Sequence, residues 1–144
     1  MPPRLTRQLL ILLGLALLPA LAAAWLHPKA PAWSQLASRP PELNVNDARA
    51  LAARESVLWI DARSAERFAQ AHIPGALNLN EEHWEAGLPH FVAQWQPGMP
   101  VLVYCDALDC QASLHVARRL RLEFGVERVM LLGGGWRAWE GTKP

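Results

Sequence analysis

The feature that most constrains the fold of this chain is a short apolar run that ends at a cysteine. Residues Val101 to Tyr104 are apolar, they follow Pro100, and they lead directly into Cys105. A continuous run of this length, rich in valine, predicts a strand that is buried on both faces of a parallel sheet. Since ligands bind beyond the carboxyl ends of such strands, the cysteine is predicted to lie at the functional edge of the sheet.

The residues after Cys105 predict how its sulfur would be ionised. A short polar loop leads into a helix pattern over Gln111–Phe124. The backbone N–H groups of the loop and the positive end of that helix both favour a thiolate over a thiol. The sequence therefore predicts a nucleophile whose anion is stabilised by peptide dipoles.

Strands and helices alternate along the chain from Glu42 onward. Strands are predicted at 43–45, 57–60, 76–79, 100–104 and 129–132. Helices are predicted from Asn46 or Asp47 to about Arg54, from Ser64 to Gln70, over 81–95, over 111–124 and after the glycines at 133–135. Gly87 and Pro89 are expected to divide the third helix in two, and Gly125 is expected to end the fourth in a left-handed conformation. Such alternation predicts an α/β fold of three layers, with a central parallel sheet of about five strands flanked by helices.

The amino-terminal segment predicts export. Leu9 to Leu26 contains no charged residue, and Arg4 and Arg7 precede it. Two interpretations stay open: a signal peptide cleaved near the small residues 22–24, or a retained membrane anchor. Both leave residues after about Leu26 outside the cytoplasm, so the domain is predicted to be periplasmic, secreted or tethered to the inner membrane. The Pro-rich stretch 27–41 is predicted to be a linker, followed by the domain at 42–144.

Charge and cysteine content narrow the classes of partner. The chain has 14 basic and 13 acidic residues, and the formal net charge is +1. No basic stripe suggests nucleic acid and no acidic tail suggests a charge-driven partner. The two cysteines, Cys105 and Cys110, could pair in an oxidising compartment. The chain shows no metal-ligand spacing, so no metal and no cofactor are expected, and we expect a monomer.

Three segments together resemble the rhodanese-like sulfurtransferase domain. They are Trp59–Arg63 followed by Phe68 and His72–Ala76, Val103–Cys105 with its loop and helix, and Leu131–Trp136 with Trp139. The resemblance covers about 42–141. It implies that Cys105 attacks the outer sulfur of a donor such as thiosulfate and becomes a persulfide. The sulfur would then pass to a thiol or cyanide, so the expected partners are a small sulfur-containing anion or a protein thiol.

The resemblance also implies a set of residues around the cysteine. The expected substrate-binding positions are Asp106, Ala107, Leu108, Asp109, Gln111, Arg63 and Asp61. Asp61 is expected to fix neighbouring loops, and Arg63 is expected to line or brace the site. His72 is expected to satisfy backbone groups in a turn.

The cysteine loop departs from the pattern of the family. Rhodaneses usually carry a basic residue shortly before the helix, but the segment 106–111 has no arginine or lysine and contains Asp106 and Asp109. Thiosulfate turnover is therefore expected to be weak. Phosphatases of the same fold use an arginine six positions after the cysteine, where this chain has Gln111. Without that guanidinium a phosphoester lacks its bidentate clamp, which argues against phosphatase activity.

Three hypotheses for the role of the second cysteine, Cys110, stay open. Cys110 could resolve a persulfide on Cys105 and leave a disulfide, as in a sulfur relay or a dithiol switch. Alternatively, a stable Cys105–Cys110 disulfide would mark a non-catalytic or redox-sensing binding module, which the missing basic residue favours. Dithiol oxidoreductase activity is the weakest reading, because the loop lacks the two-residue spacing of thioredoxin-like motifs.

Overall fold

A computed structural model describes Gln8 and residues 38–106 and 111–142. The chain divides into two units, 1–37 and 38–144. Apart from Gln8 the first unit lies outside the described residues, so the leader and most of the linker remain predictions. Within the described part of the chain, no helix is long and apolar enough to cross a membrane.

Strands and helices alternate through the second unit as predicted. The strands are β1 (Glu42–Leu43), β2 (Leu58–Asp61), β3 (Leu77–Asn78), β4 (Val101–Tyr104) and β5 (Val129–Leu132). The helices are α1 (Val45–Arg54), α2 (Ala65–Gln70), α3 (Trp84–Gln94), α4 (Gln111–Phe124) and α5 (Gly135–Gly141). Gly125 follows α4 with φ of 65°, which is the left-handed stop expected there.

The five strands form one parallel sheet in the order β1-β5-β4-β2-β3. The fold class predicted from the alternation is therefore confirmed. Strand β4 lies at the centre, where Asp61 of β2 is in register with Tyr104. The order brings the carboxyl ends of β2, β4 and β5 together at one edge, directly before Ala62, Cys105 and Gly133.

Successive side chains of β4 point to opposite faces of the sheet, and each of them joins an apolar core. Val101 and Val103 belong to a core cluster with Phe91 of α3 and Leu120 of α4. Leu102 and Tyr104 belong to a second cluster with Ala48 of α1 and Trp136 of α5. All four residues of β4 are fully buried. The two-residue period of a strand thus explains how one apolar run serves two layers.

The start of α1 differs from the prediction. The predicted strand 43–45 ends at Leu43, and Asn44 caps the helix instead of Asn46 or Asp47. Asn44 Oδ1 accepts a hydrogen bond from the Asp47 N–H at 2.9 Å. Asparagine, in extended backbone geometry, therefore satisfies a free amide of the first turn and begins the helix early.

The prediction that Gly87 and Pro89 divide the third helix is wrong, because α3 continues through both residues. A Cβ on Gly87 would lie 2.7 Å from Leu79 Cδ1 and 3.3 Å from the Asn78 carbonyl oxygen. Glycine therefore permits a close approach of α3 to β3, rather than a break. Phe91 anchors the second half in the core and accepts a hydrogen bond from the Trp95 N–H at 2.8 Å. Burial thus outweighs the intrahelical bond that proline removes.

Candidate active site

Cys105 lies directly after the central strand β4, at the edge where the sequence placed it. It is 2% exposed. Its sulfur is in a disulfide, and no described cysteine is free. Cys110, the other cysteine of the chain, lies outside the described residues together with the predicted loop positions Ala107, Leu108 and Asp109. Reaction at Cys105 therefore requires reduction first.

Helix α4 presents a hydroxyl to the sulfur of Cys105. Ser113 Oγ donates a hydrogen bond to Cys105 Sγ at 3.6 Å, and Ser113 is buried. The buried residues of α4 are Ser113, Val116, Ala117 and Leu120. Their spacing of three and four residues marks the inward face of the helix. Ser113 is the polar residue of that face. A serine at a position that the helical spacing predicts to be buried is the sequence signal that could have identified Ser113 as a site residue.

The carboxyl end of β2 carries a buried ion pair. Asp61 is fully buried and Arg63 is 6% exposed. Arg63 Nη2 donates to Asp61 Oδ2 at 2.6 Å, and Arg63 Nε donates to Asp61 Oδ1 at 3.0 Å. The Arg63 N–H donates to the same Oδ1 at 2.9 Å. Asp61 therefore satisfies both the backbone and the side chain of Arg63, as a bidentate pair.

Arg63 connects this ion pair to three other parts of the site. Its Nη2 donates to the carbonyl oxygen of Ala71 at 2.6 Å. Its guanidinium carbon lies 4.7 Å from the ring centroid of Trp136 and 5.7 Å from that of Tyr104. Burial acts to lower the pKa of Arg63, but hydrogen bonding and attraction to Asp61 outweigh it and leave that pKa raised. The guanidinium stays charged and braces the loops.

Tyr104 connects β4 to the turn at 72–76. The Ile73 N–H donates to the Tyr104 hydroxyl at 3.1 Å. Burial, the main cause, raises the pKa of Tyr104, so its phenol stays neutral. In the same turn, His72 Nδ1 lies 2.9 Å from the Phe68 carbonyl oxygen, and the two rings stack at 4.0 Å. The side chain of His72 therefore binds to and packs against Phe68, four positions earlier in the chain.

Asp106 and Gln111 flank the loop that the structure does not describe. Asp106 Oδ1 is 3.1 Å from Arg67 Nη1 and 3.8 Å from Arg63 Nη1. The Asp106 carbonyl oxygen accepts a hydrogen bond from the Arg137 N–H at 3.3 Å, and the Cys105 carbonyl accepts one from the Trp136 N–H at 2.7 Å. Gln111 is exposed and begins α4. The start of α5 thus anchors the backbone on the amino-terminal side of the loop.

An open cleft of about 320 Å³ lies beside this anchored segment. Its lining residues come from α2, α5 and the residues after β2 and β4. They are Arg63, Arg67, Gln70, Ala71, Asp106, Trp136, Arg137 and Glu140. Three of them are arginines, so an anion can be attracted here although the loop itself lacks a basic residue.

Sequence reasoning missed most of this cleft. Arg67 is 39 positions from Asp106 in the chain, and no local motif marks that contact. The sequence marks Trp136 as the end of the segment Leu131–Trp136 and gives no sign of its place in a cleft, and Arg137 carries no signal. Within the described ranges, no group of three or more His, Cys, Asp or Glu residues could hold a metal ion.

The parallel sheet and the cysteine at the end of its central strand define the class of protein. The chain belongs to the family of rhodanese-like domains, whose family model matches residues 44–142. The family resemblance seen in the sequence is therefore confirmed.

Similar proteins agree with this assignment. The chain is 35% identical over 97 residues to the thiosulfate sulfurtransferase GlpE of Shewanella oneidensis, which covers 67% of this chain and 89% of that protein. The BH2092 protein of Bacillus halodurans superposes with a TM-score of 0.58 at 21% identity, over 70% of this chain and 72% of that one. The rhodanese-like domain of the Alr3790 protein of Anabaena sp. gives 0.55 at 23% identity, over 70% and 74%. The two solved structures are similar in fold.

Proposed function

We propose that this domain is a sulfurtransferase that carries sulfane sulfur as a persulfide on Cys105. The observation that supports this most directly is the position of Cys105. It follows the central strand, lies 3.6 Å from the Ser113 hydroxyl and precedes a residue of the arginine-lined cleft. The relative at 35% identity bears the name thiosulfate sulfurtransferase.

The first half-reaction loads the cysteine with sulfur. The Cys105 thiolate attacks the outer sulfur of thiosulfate, a new S–S bond forms, and the S–S bond of the donor breaks. Sulfite leaves with the electron pair, and Cys105 becomes a persulfide anion. The Ser113 hydroxyl stabilises negative charge on the cysteine sulfur by its hydrogen bond. We expect the amino end of α4 to contribute in the same sense.

The second half-reaction unloads the sulfur. An acceptor thiolate attacks the outer sulfur of the persulfide, takes it as a new persulfide, and returns Cys105 as a thiolate. We propose Cys110 as a resolving thiol in a competing route. Its thiol attacks the inner sulfur, a Cys105–Cys110 disulfide forms, and hydrosulfide leaves. A reductant must then restore the two thiols before another cycle.

Intact-mass measurement tests the persulfide directly. The reduced protein, freed of reductant and treated with thiosulfate or polysulfide, is expected to gain about 32 Da per sulfur atom transferred. Cys105→Ser is expected to abolish this gain, whereas Cys110→Ser is expected to retain it and to prolong the lifetime of the adduct. A Cys110→Ser protein that gains no mass from either donor would contradict the proposal, since this variant has no resolving thiol to remove the sulfur.

A redox-sensing or binding module is the second candidate, favoured by the observation that Cys105 is disulfide-bonded. In that case the disulfide would be the stable state and no sulfur would be carried. The reduction potential separates the two candidates: a value below about −300 mV indicates a structural bond, and a higher value indicates a working pair. The mass measurement provides an independent answer.

We also propose that the domain acts outside the cytoplasm, as a monomer and either released or tethered to the inner membrane. The support is the charge-free stretch Leu9–Leu26 behind Arg4 and Arg7. Sequencing the amino terminus of the protein recovered from the periplasmic and membrane fractions would distinguish cleavage from retention.

A further inference from the structure

The carboxylate of Asp106 lies between two guanidinium groups beside the candidate active site. Its Oδ1 is 3.1 Å from Arg67 Nη1 and 3.8 Å from Arg63 Nη1. The Nε and Nη2 atoms of Arg63 bond to Asp61, so Nη1 is the nitrogen that remains for Asp106. The backbone of Asp106 is held as well, since its carbonyl oxygen accepts from the Arg137 N–H. Asp106 is therefore positioned by residues of α2, α5 and the segment after β2.

This arrangement lowers the positive charge that an incoming anion would meet. Asp61, fully buried next to the cleft, offsets Arg63, and Asp106 in the cleft lining offsets Arg67. Arg137 and Glu140 add one charge of each sign to the lining. Thiosulfate is a dianion at neutral pH, and a dianion that enters this cleft meets an Arg67 guanidinium already paired with Asp106. The side chain of Asp106 is 32% exposed, so solvent and salt screen its charge incompletely.

We infer that Asp106 is a specificity-determining residue that disfavours a dianionic sulfur donor relative to a singly charged one at Cys105. The inference rests on the proposed function, and it names the class of donor that this chain accepts best. Asp106 directly follows Cys105 and lines the cleft beside it, and we expect a donor that approaches Cys105 from this cleft to meet the charge of the Asp106 carboxylate. Each additional negative charge on the donor increases its electrostatic repulsion from the Asp106 carboxylate.

Two donors of matched chemistry isolate this effect. Thiosulfate carries two negative charges, and methanethiosulfonate carries one. In each case the Cys105 thiolate bonds to the terminal sulfur and the S–S bond of the donor breaks. The electron pair leaves on sulfite from thiosulfate and on methanesulfinate from methanethiosulfonate. The persulfide formed on Cys105 is the same, so a change in the ratio of the two efficiencies reports on donor charge.

The experiment measures kcat/KM for both donors, with dithiothreitol as reductant and acceptor, in the wild-type chain and in Asp106→Asn. We expect the ratio of thiosulfate to methanethiosulfonate efficiency to rise about fivefold in the variant. Raising the salt concentration should shrink the difference between the two proteins. If Asp106 only supported the loop, both donors would lose efficiency alike and the ratio would stay unchanged.

Two further variants serve as controls. One tests whether the effect depends on the position of the carboxylate, and the other tests whether it depends on the sign of the charge. Glu140→Gln removes an exposed carboxylate from the same cleft and is expected to shift the ratio much less. Arg67→Gln removes the cation that offsets Asp106 and is expected to lower the ratio. An equal effect of Glu140→Gln and Asp106→Asn would overturn the assignment to Asp106.

The possible failures are distinguishable. If both donors are turned over and Asp106→Asn leaves their ratio unchanged, the inference is wrong and the sulfurtransferase function stands. If neither donor is turned over and neither adds sulfur to Cys105 by mass, the function fails and the inference fails with it.

Discussion

Ser113 connects the first turn of α4 to the sulfur of Cys105 through one buried hydrogen bond. A hydrogen bond to a charged acceptor is stronger than one to a neutral acceptor, so the hydroxyl favours the thiolate over the thiol. The contact is formed between residues eight positions apart, one directly after β4 and the other in α4.

Replacing Ser113 by alanine is expected to slow the reaction of Cys105 as a nucleophile. Loss of the bond should reduce the rate of alkylation of the reduced protein by iodoacetamide at pH 7 about fivefold. Peptide mapping by mass spectrometry reads the modification at Cys105 alone. Thr142→Ala is the matched control, since that hydroxyl bonds to the Ala138 and Trp139 carbonyls. Equal rates for Ser113→Ala and wild type would contradict this role.

Because Asp61 and Arg63 form a buried ion pair, we expect replacing one partner to lower the free energy of unfolding more than replacing both. Arg63→Met leaves the fully buried Asp61 carboxylate without its partner, and we expect it to lower the free energy of unfolding by about 3–5 kcal/mol. Asp61→Asn/Arg63→Met removes both charges and should recover part of that loss. Urea denaturation of the reduced proteins measures both effects. Additive losses in the double variant would show that the charges are not coupled.

At the scale of secondary-structure elements, the start of α5 determines where the backbone of the cysteine loop is anchored. Gly134 precedes α5 with φ of 72°, in the left-handed region that favours glycine. Residues Trp136 and Arg137 then donate their N–H groups to the carbonyls of Cys105 and Asp106. Gly134 therefore affects the candidate site through the backbone of the helix that follows it.

Gly134→Ala is expected to destabilise the protein and to disturb the site. The new Cβ would be strained by the positive φ and would lie 2.6 Å from Ala138 Cβ. We expect a loss of about 2–3 kcal/mol in the free energy of unfolding. Gly98→Ala is the matched control: its φ is 87°, but nothing lies within 4 Å of the added carbon, so only the backbone term of about 1 kcal/mol applies. Equal losses for the two variants would argue that the contact with Ala138 relaxes freely.

At the scale of the whole molecule, a bidentate ion pair connects the end of α1 to the residue before β5. Arg128 donates from Nη2 and Nη1 to the Glu55 carboxylate at 2.7 and 2.8 Å, across 73 positions of the chain. The pair lies at the opposite end of the sheet from Cys105, because Arg128 precedes β5 and Cys105 follows β4. The pair is therefore remote from the candidate active site.

This pair predicts a pH dependence of stability. Hydrogen bonding to Arg128 lowers the pKa of Glu55 in the folded protein. The contribution is therefore present above the unfolded pKa of about 4.3 and is lost as pH falls through the lower folded value. Glu55→Gln should be less stable than wild type at pH 7 and equally stable near pH 2, as read by thermal unfolding. A difference that persists at the acidic pH would point to packing rather than charge.

The sequence predicted the fold and the place of Cys105 at a strand end, because both depend on local patterns. Mostly apolar runs of three to five residues predicted the strands, and α4 was predicted at its observed bounds. The boundary of α1 was wrong because Asn44 caps the helix earlier than expected. The division of α3 was wrong because its packing against β3 outweighs the local effects of Gly87 and Pro89.

Period and composition along the chain were enough to determine an α/β sheet with a cysteine at the end of a buried strand, since burial on two faces demands such a run. The surroundings of that cysteine were decided only by tertiary structure. Asp106 meets Arg67, and Trp136 meets Cys105, because the sheet order brings β2, β4 and β5 side by side. Contacts between residues far apart in the chain leave no periodic trace in it, so the charge balance of the site becomes visible only once the strands are paired.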